Sequence, residues 1–373
     1  MKIYIHHKSP IPDSYRAARV SSLFNVEGAA DFTLSGEAPI NERDWQIGLI
    51  VGPSGTGKSS VARKMFRRNR VRVNGRWPAS TPIIEAIAPE GDFDGVTAAL
   101  SAVGLGSVPS WMRAYNHLST GEKFRADLAR ILCERPKLAV LDEFTSTIDR
   151  RVATIAASAF AKSWRRGPGQ FVGATCHYDV IDWLQPDWIF DTRNAEFSWR
   201  RLRRAPAISV DIFQTNWRYW PHFEPHHYLK LPHMIAATCY VGFVGDDPVV
   251  HLGVSTRPGM KEARACRLVV MPEWQGAGIG MRFLNEVCAL WRRGVNRYDK
   301  PMPTLFHTSH PGLAAGLRRD PKWAQISATL FGGRKGPSLA SLKRSMGDKA
   351  GGGFGGHFRA VQGFRYVEDR ADG

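Results

Sequence analysis

Two textures of apolar and polar positions run along the chain. Residues 45–51 (Trp-Gln-Ile-Gly-Leu-Ile-Val) form a short apolar run that ends at a glycine loop, the pattern of a buried strand. Beyond the loop, Val61, Met65 and Phe66 fall on one helical face. Phe124, Leu128, Ile131 and Leu132 recur at i, i+4, i+7 and i+8, which predicts an amphipathic helix over 121–134, closed by Pro136. Residues 138–141 (Leu-Ala-Val-Leu) predict a second buried strand, and 171–175 a third. Strand and helix in alternation predict an α/β domain with a mostly parallel sheet over 1–205.

The pattern changes around 192–207, where Arg200-Arg201-Leu202-Arg203-Arg204 precedes Ala205-Pro206-Ala207 and marks a boundary. Residues 240–254 then predict a hairpin turning at Gly245-Asp246-Asp247-Pro248. Residues 266–271 predict a strand, followed by a glycine loop and a helix over roughly 278–292. Residues 332–356, rich in Gly, Ser and Lys, predict a basic Gly-rich insertion in the second domain, 206–373.

Composition narrows the class. A chain of 373 residues, 43% apolar and 23% charged, is globular and long enough for two cores. It has no apolar run of about 18 residues that could cross a membrane. Its first residues lack the apolar stretch of a secretory signal. Five cysteines, odd in number and without CxxC spacing, exclude a disulfide framework and a cysteine zinc site, and fit the cytoplasm. The net charge is +17, and a cut after Arg204 leaves 29 basic and 21 acidic residues before it and 22 and 13 after it. Both parts therefore favour a polyanion, nucleic acid before an anionic membrane surface.

Gly52-Pro53-Ser54-Gly55-Thr56-Gly57-Lys58-Ser59, with Ser60 beside it, fits G-x-x-x-x-G-K-[ST] between a predicted strand and a predicted helix. At this glycine content roughly 0.02 such matches arise by chance. Glycines let backbone N–H groups close around phosphate oxygens at a helix N-terminus. Lys58 reaches the β- and γ-phosphates of ATP, and Ser59 offers its hydroxyl to Mg²⁺. The strand 138–141 ends in Asp142 and Glu143: Asp142 to hold Mg²⁺, Glu143 to polarise the attacking water.

Further motifs follow in a fixed order. Leu118-Ser119-Thr120-Gly121-Glu122 resembles the LSGGQ signature of ABC-type ATPases, with Thr and Glu where that motif has Gly and Gln. Ser146-Thr147-Ile148-Asp149 resembles the family's D-loop, and His177 its switch histidine. The resemblance covers about 15–200. It implies an ATP-dependent head-to-tail homodimer, in which the signature of one subunit meets the γ-phosphate held by the other. No glutamine lies between Lys58 and Leu118 to serve as a Q-loop, and only 60 residues separate those two positions. Both departures point away from a transporter subunit, towards ABC ATPases that act on nucleic acids or as switches.

In the second domain, Gln275-Gly276-Ala277-Gly278-Ile279-Gly280 fits [QR]-x-x-G-x-[GA], of which roughly 0.4 double-glycine matches arise by chance. The context is a hairpin, a strand ending Val269-Val270-Met271-Pro272, the loop and an amphipathic helix. Together they resemble a GNAT-type N-acetyltransferase over 208–373. That resemblance implies acetyl-CoA or another acyl-CoA, its pyrophosphate on the amides of Gln275–Gly280 and its pantetheine arm along Val269–Met271. The tyrosine acid common in that family has no counterpart, since Tyr298 and Tyr366 fall elsewhere. Ser309 and His310 are the candidates for handling a proton. Glu224, His226 and His227 are candidates for an acceptor pocket or for structural roles, and Trp217, Tyr219, Trp220 and Phe223 read as core.

The pairing resembles ABC–GNAT fusions of phages and some prokaryotes, whose inferred setting is modification of DNA bases. From 292 to 349 there are 12 basic and three acidic residues, an arm suited to phosphates. Three functions are thus expected: an ATP-gated acyltransferase on nucleic acid, an ATP-driven DNA clamp with a degenerate GNAT domain, or a protein or amine acetyltransferase regulated by ATP.

Overall fold

The computed structural model describes residues 1–9, 13–24, 30–66, 71–72, 77–146, 148–200, 206–228, 234, 236–256, 262–329 and 360–368. Thr147 and the Gly-rich insertion at 332–356 lie outside the described residues. The chain divides into two compact units, Met1–Arg76 with Glu134–Pro206, and Trp77–Cys133 with Ala207–Gly373. This differs from a single cut near 205. Residues 77–133 group with the second half because Arg125, Gly106 and Ser101 are packed against its loops and helices.

The first unit opens with a two-stranded antiparallel sheet of β1 (Lys2–Ser9) and β2 (Ala30–Glu37), joined through α1 (Tyr15–Phe24). The strand β3 (Ile47–Val51), the helix α2 (Lys58–Met65) and the short strand β4 (Val71–Arg72) follow. The chain then gives four helices to the second unit, α3 (Ile83–Ala86), α4 (Phe93–Ala102), α5 (Val108–Trp111) and α6 (Thr120–Glu134). It returns through β5 (Leu138–Leu141), α7 (Arg150–Trp164), β6 (Gln170–Thr175), α8 (Ile181–Leu184), β7 (Trp188–Asp191) and β8 (Glu196–Trp199). These strands form one sheet in the order β4-β5-β6-β3-β7-β8, parallel except for β8. The expected parallel α/β sheet is present, and β3 is buried along its whole length as its unbroken apolar run requires.

One carboxylate fixes where β3 begins. Asp187 Oδ2 accepts from the backbone N–H groups of Gln46 and Ile47, each at 2.8 Å, while Arg165 donates to Asp187 Oδ1 at 3.0 Å. The pair is only about one-fifth exposed, 22% for Arg165 and 17% for Asp187.

The second unit continues with β9 (Asp211–Thr215), α9 (Trp220–Phe223), β10 (Ala237–Val244), β11 (Asp247–Thr256) and β12 (Ala263–Val270). Then come α10 (Ile279–Arg293), β13 (Thr304–Thr308), α11 (Pro311–Arg319), β14 (Trp323–Thr329) and β15 (Val361–Tyr366). The sheet order is β14-β15-β13-β12-β11-β10-β9, and only β12 and β13 run parallel. The expected hairpin is β10–β11, and α10 buries Phe283, Leu284, Val287 and Trp291. β12 carries an extra residue opposite His251–Gly253, with Arg267 in the left-handed region at φ 55°. Such a bulge bends its strand. The described pairing of β12 with β13 covers only Ala263–Ala265 against Thr304–Phe306, so the strands part just before the bulge.

The five cysteines are free thiols, and no described helix is long and apolar enough to cross a membrane.

Replacing Asp187 with Ala should strand two backbone donors and leave the largely buried Arg165 guanidinium without its carboxylate. The expected loss is about 3 kcal/mol of unfolding free energy, read as a lower urea midpoint. An unchanged midpoint would show that β3 does not depend on this carboxylate.

Candidate functional site: a glycine loop and a parted strand pair

Three loops of the first unit meet at one edge because β5, β6 and β3 are parallel neighbours, so their C-terminal ends lie together. The loop after β3 is Gly52–Ser59. Gly52, Gly55 and Gly57 all have positive φ (151°, 82° and 83°), and Gly57 caps α2. Side chains at two of these glycines would also be excluded sterically: a Cβ at Gly52 would collide with Thr192 Oγ1, and one at Gly57 would lie 2.8 Å from the Phe32 ring. Lys58 Nζ donates to the carbonyls of Gly52 (2.9 Å) and Pro53 (2.7 Å), so the ammonium lies back across its own loop. Thr56 Oγ1 pairs with Thr192 Oγ1 at 2.5 Å and donates to Pro53 O at 2.8 Å. Pro53 and Ser54 are exposed.

Ser59 Oγ donates to Asp142 Oδ1 at 3.1 Å, bringing together a hydroxyl and a carboxylate 83 residues apart. Glu143 and Thr145 both take left-handed conformations (φ 55° and 68°), unusual for side chains of their kind. Phe144 between them is fully buried, 5.6 Å from the Phe171 ring centroid, and its N–H donates to Ala174 O. Pinning Phe144 inward leaves Glu143 exposed at the strand end. His177 follows β6. Arg150 can only donate, so its 2.9 Å contact makes His177 Nδ1 the acceptor and leaves the ring proton on Nε2. Burial and then the Arg150 charge hold the imidazole below its ordinary pKa, against the opposing charge of Asp179, and favour the neutral form. Asp149 caps α7, accepting from the N–H groups of Arg151 (2.9 Å) and Val152 (3.2 Å).

Some neighbours had no local signal in the sequence. His7 Nε2 lies 2.9 Å from Ser60 Oγ, and the His7 ring stacks on Phe32 at 6.2 Å. Thr192, just after β7, braces the Gly52–Ser59 loop, and Arg150 orients His177.

Leu118–Glu122 lies in the second unit. Leu118 is buried, and Ser119 and Glu122 form a reciprocal cap on α6. Ser119 N–H donates to Glu122 Oε2 (2.9 Å), and Glu122 N–H donates to Ser119 Oγ (3.3 Å). Glu122, which stands where the resembled motif has glutamine, thus takes part in a helix cap. Burial alone would raise the Glu122 carboxyl, yet hydrogen bonds from Ser110 and Ser119 and the charge of Arg113 bring it below its ordinary value. Thr120 and Gly121 complete the first turn.

Further along α6, Asp127 accepts from Tyr115 Oη (2.7 Å) and Trp77 Nε1 (2.8 Å), whose rings stack at 4.7 Å. Burial pushes the Asp127 carboxyl up to about 6, although these bonds and Arg130 oppose the shift.

The second unit also carries Gln275–Gly280 between β12 and α10. Gly276 and Gly278 are exposed at positive φ (95° and 77°), and Ile279 is buried at the start of α10. Ala277 N–H donates to Trp274 O, and its carbonyl accepts from Arg282 at 3.0 Å. Gly280 packs on Val270. The backbone at Val269–Met271, expected to be open, is partly used. Val270 O accepts from Gln275 Nε2 (3.0 Å), because the turn after β12 folds back on its own strand, and Met271 N–H donates to Val249 O (2.9 Å), extending the pairing with β11.

Ser309 Oγ donates to Ala360 O at 2.5 Å. His310 caps α11 by accepting from Leu313 N–H at Nδ1, which leaves Nε2 to donate to Gly106 O at 3.0 Å. Burial holds this histidine below its ordinary pKa. Of the four aromatics expected as core, Trp220 and Phe223 are buried and Trp217 and Tyr219 are half-buried; Trp217, Trp220 and Phe223 surround His251, which is fully buried in β11 and which its apolar strand context conceals. Burial pushes His251 down to about 4. His227 is buried against Trp220, and no group of three metal-binding side chains occurs among the described residues.

No protein-family model matches the chain, and no curated protein matches it. Similar solved structures include a bacterial Atm1-family ABC exporter with ATP bound, at 20% identity over 44% of this chain and 34% of that one, TM-score 0.33. Another is cbiO1 from Clostridium perfringens, part of the ABC transporter complex cbiONQ, at 16% identity over 50% of this chain and 84% of that one, TM-score 0.33. A third is MJ1267, an ATP-binding cassette of an ABC transporter in its ADP conformation, at 14% identity over 52% and 90%, TM-score 0.34. The chain thus spans about a third of the exporter's length.

Asp127 generates a pH prediction. Its folded pKa, about 6, lies above the ordinary 3.8, so the folded state binds the extra proton. The stabilisation is complete below the unfolded value and is lost as pH rises towards about 6. Asp127→Asn should remove that dependence, so the variant gains on the parent between pH 4 and about pH 6.5 in parallel denaturation series. A constant difference across that window would show that Asp127 titrates normally.

Proposed function

We propose that the chain is an ATP-binding, Mg²⁺-dependent ATPase of the ABC type, working as a head-to-tail homodimer formed on ATP. In this reading it is fused to a GNAT-type domain that binds acetyl-CoA or another acyl-CoA, and it acts on nucleic acid, DNA first. The observation that carries the ATPase part is the meeting of Ser59 and Asp142 at 3.1 Å beside three positive-φ glycines and Lys58. A hydroxyl and a carboxylate at a phosphate loop suit a hard cation. Loop amides and Lys58 bind phosphate oxygens, and Ser59 and Asp142 hold Mg²⁺. Glu143, exposed at the strand end, orients water, and neutral His177 offers its Nε2–H to the γ-phosphate. The His7–Phe32 stack offers a flat aromatic face for a base. Leu118–Glu122 acts across the dimer, and Asp149 stands at the start of α7 on the same interface.

The acyl-CoA part is supported by the strand order β9-β10-β11-β12-β13-β15-β14, with its single parallel pair parting beside a bulge. The exposed amides at Gly276 and Gly278 fit a pyrophosphate at the start of α10. The clamp reading, in which this domain has lost its chemistry, is favoured by Ser309 and His310, whose polar side-chain atoms are all engaged within the fold. Tyr298 agrees, since its hydroxyl lies 2.8 Å from Thr256 Oγ1.

Lys58→Ala should abolish ATP binding in equilibrium dialysis. Glu143→Gln should bind ATP, lose at least about 100-fold in turnover and accumulate as a dimer in light scattering. A Glu143→Gln protein that stays monomeric in saturating ATP and Mg²⁺ would rule out the head-to-tail arrangement.

The basic arm generates a second test. Of its charges, Arg318 and Arg319 are exposed on α11 and Lys322 is half-buried, whereas Arg334 and Lys335 lie outside the described residues. Triple reversal of Arg318, Arg319 and Lys322 to Glu should weaken duplex binding. It should also flatten the log–log salt dependence by about 0.9 for each phosphate that is no longer neutralised. An unchanged slope would take nucleic acid off this face and promote a protein or amine acceptor.

A further inference from the structure

The loops that follow β12 and β13, residues 271–278 and 309–310, flank the opening where these two strands part. A peptide from the first half of the chain bridges them. Gly106 N–H donates to Gln275 Oε1 at 3.0 Å, and Gly106 C=O accepts from His310 Nε2 at 3.0 Å. The two preceding carbonyls are held as well. Leu105 O accepts from Trp111 Nε1 at 2.7 Å, and Gly104 O accepts from Arg125. Arg125, 3% exposed, also donates to Pro272 O at 2.8 Å and reaches Glu273 O at 3.5 Å. Burial pushes this guanidinium down to about 10, although Glu273 and Glu122 oppose the shift, and it stays charged at neutral pH. A buried charge persists where carbonyl oxygens replace its water, so these bonds bind the segment 104–106 firmly to the turn after β12. The fit is close: a Cβ at Gly104 would collide with the Gln275 carbonyl, and one at Gly106 would lie 3.2 Å from Gln275 Oε1.

We propose that residues 104–106 are a built-in plug of the acyl-CoA cleft, latched by Arg125. The inference rests on the acyl-CoA reading of Gln275–Gly280. The Gly106 peptide presents one N–H and one C=O to Gln275 and His310, as an amide of the pantetheine arm would. Coenzyme A and the plug therefore compete, and release of the plug frees both Gln275 Oε1 and His310 Nε2 at the mouth.

The test titrates coenzyme A into the full-length protein by calorimetry. It uses the parent, Gly104→Ala, whose Cβ meets backbone and whose φ of 81° disfavours a side chain, and Gly106→Val, whose Cβ would crowd Gln275 Oε1 at 3.2 Å and come within 3.9 Å of His310 Nε2. A cleft closed about nine-tenths of the time binds about tenfold more weakly than an open one. Both variants should thus bind about tenfold more tightly or better, and adding Gly278→Glu to either should abolish the binding. In the unmutated protein, coenzyme A should speed hydrogen exchange in peptides covering 103–112, a readout independent of how the variants fold. Equal affinity in all three proteins, with exchange over 103–112 unchanged, would overturn the plug and leave the acyl-CoA reading standing. No binding to any of them at millimolar coenzyme A would remove that reading and the plug with it.

Discussion

The parallel ladder of β5, β6 and β3 governs the first unit. Parallel strands deliver their C-terminal ends to one edge, so the loop Gly52–Ser59, the pair Asp142–Glu143 and His177 converge without any local sequence linking them. The ladder in turn depends on burial. β3 is apolar along its length, and its start is tied by Asp187 to the first residues of β7. Phe144, driven into the core, forces left-handed turns on either side and presents Glu143 to solvent. A hydrophobic side chain thus sets the direction of a carboxylate.

In the second unit the equivalent constraint is a single extra residue. The bulge at Arg267 follows the last described pairing of β12 with β13, so the one parallel pair of an otherwise antiparallel sheet opens towards its C-terminal end. An opening between strands exposes backbone that must find partners. Here the turn after β12 meets part of that demand itself, through Gln275 Nε2 on Val270 O, while the segment 104–106 engages the side chains of Gln275 and His310 at the ends of the two strands. Glycine at 104 and 106 is what lets that backbone come so close.

The helix α6 illustrates how one sequence pattern can carry two meanings. Ser119 and Glu122 occupy positions of a signature-like motif, and they also cap the helix they open. The same helix buries Arg125 against the turn after β12 and Asp127 against Tyr115 and Trp77. Polar residues of the helix thus serve an N-terminal cap and two buried networks, while Ala126, Leu128, Ala129, Ile131 and Leu132 are ordinary core.

The sequence by itself determined the local grammar: which runs are buried strands, that Gly52–Ser59 is a glycine loop between a strand and a helix, that Asp142–Glu143 ends a strand, and that a glycine loop opens α10. The strands and the positive-φ loops follow from periodicity and from the backbone freedom of glycine, which neighbouring residues alone encode. Tertiary structure decided what depends on distant partners. The grouping of 77–133 with the second half, the Arg150–His177 pair, the His7–Phe32 stack, the Asp187 tie and the bridging of Gln275 and His310 by Gly106 join residues from 25 to more than 200 positions apart. No window of sequence contains both members of such pairs. Their geometry is set by the packing of whole sheets and helices, where burial and the need to satisfy every polar group act together.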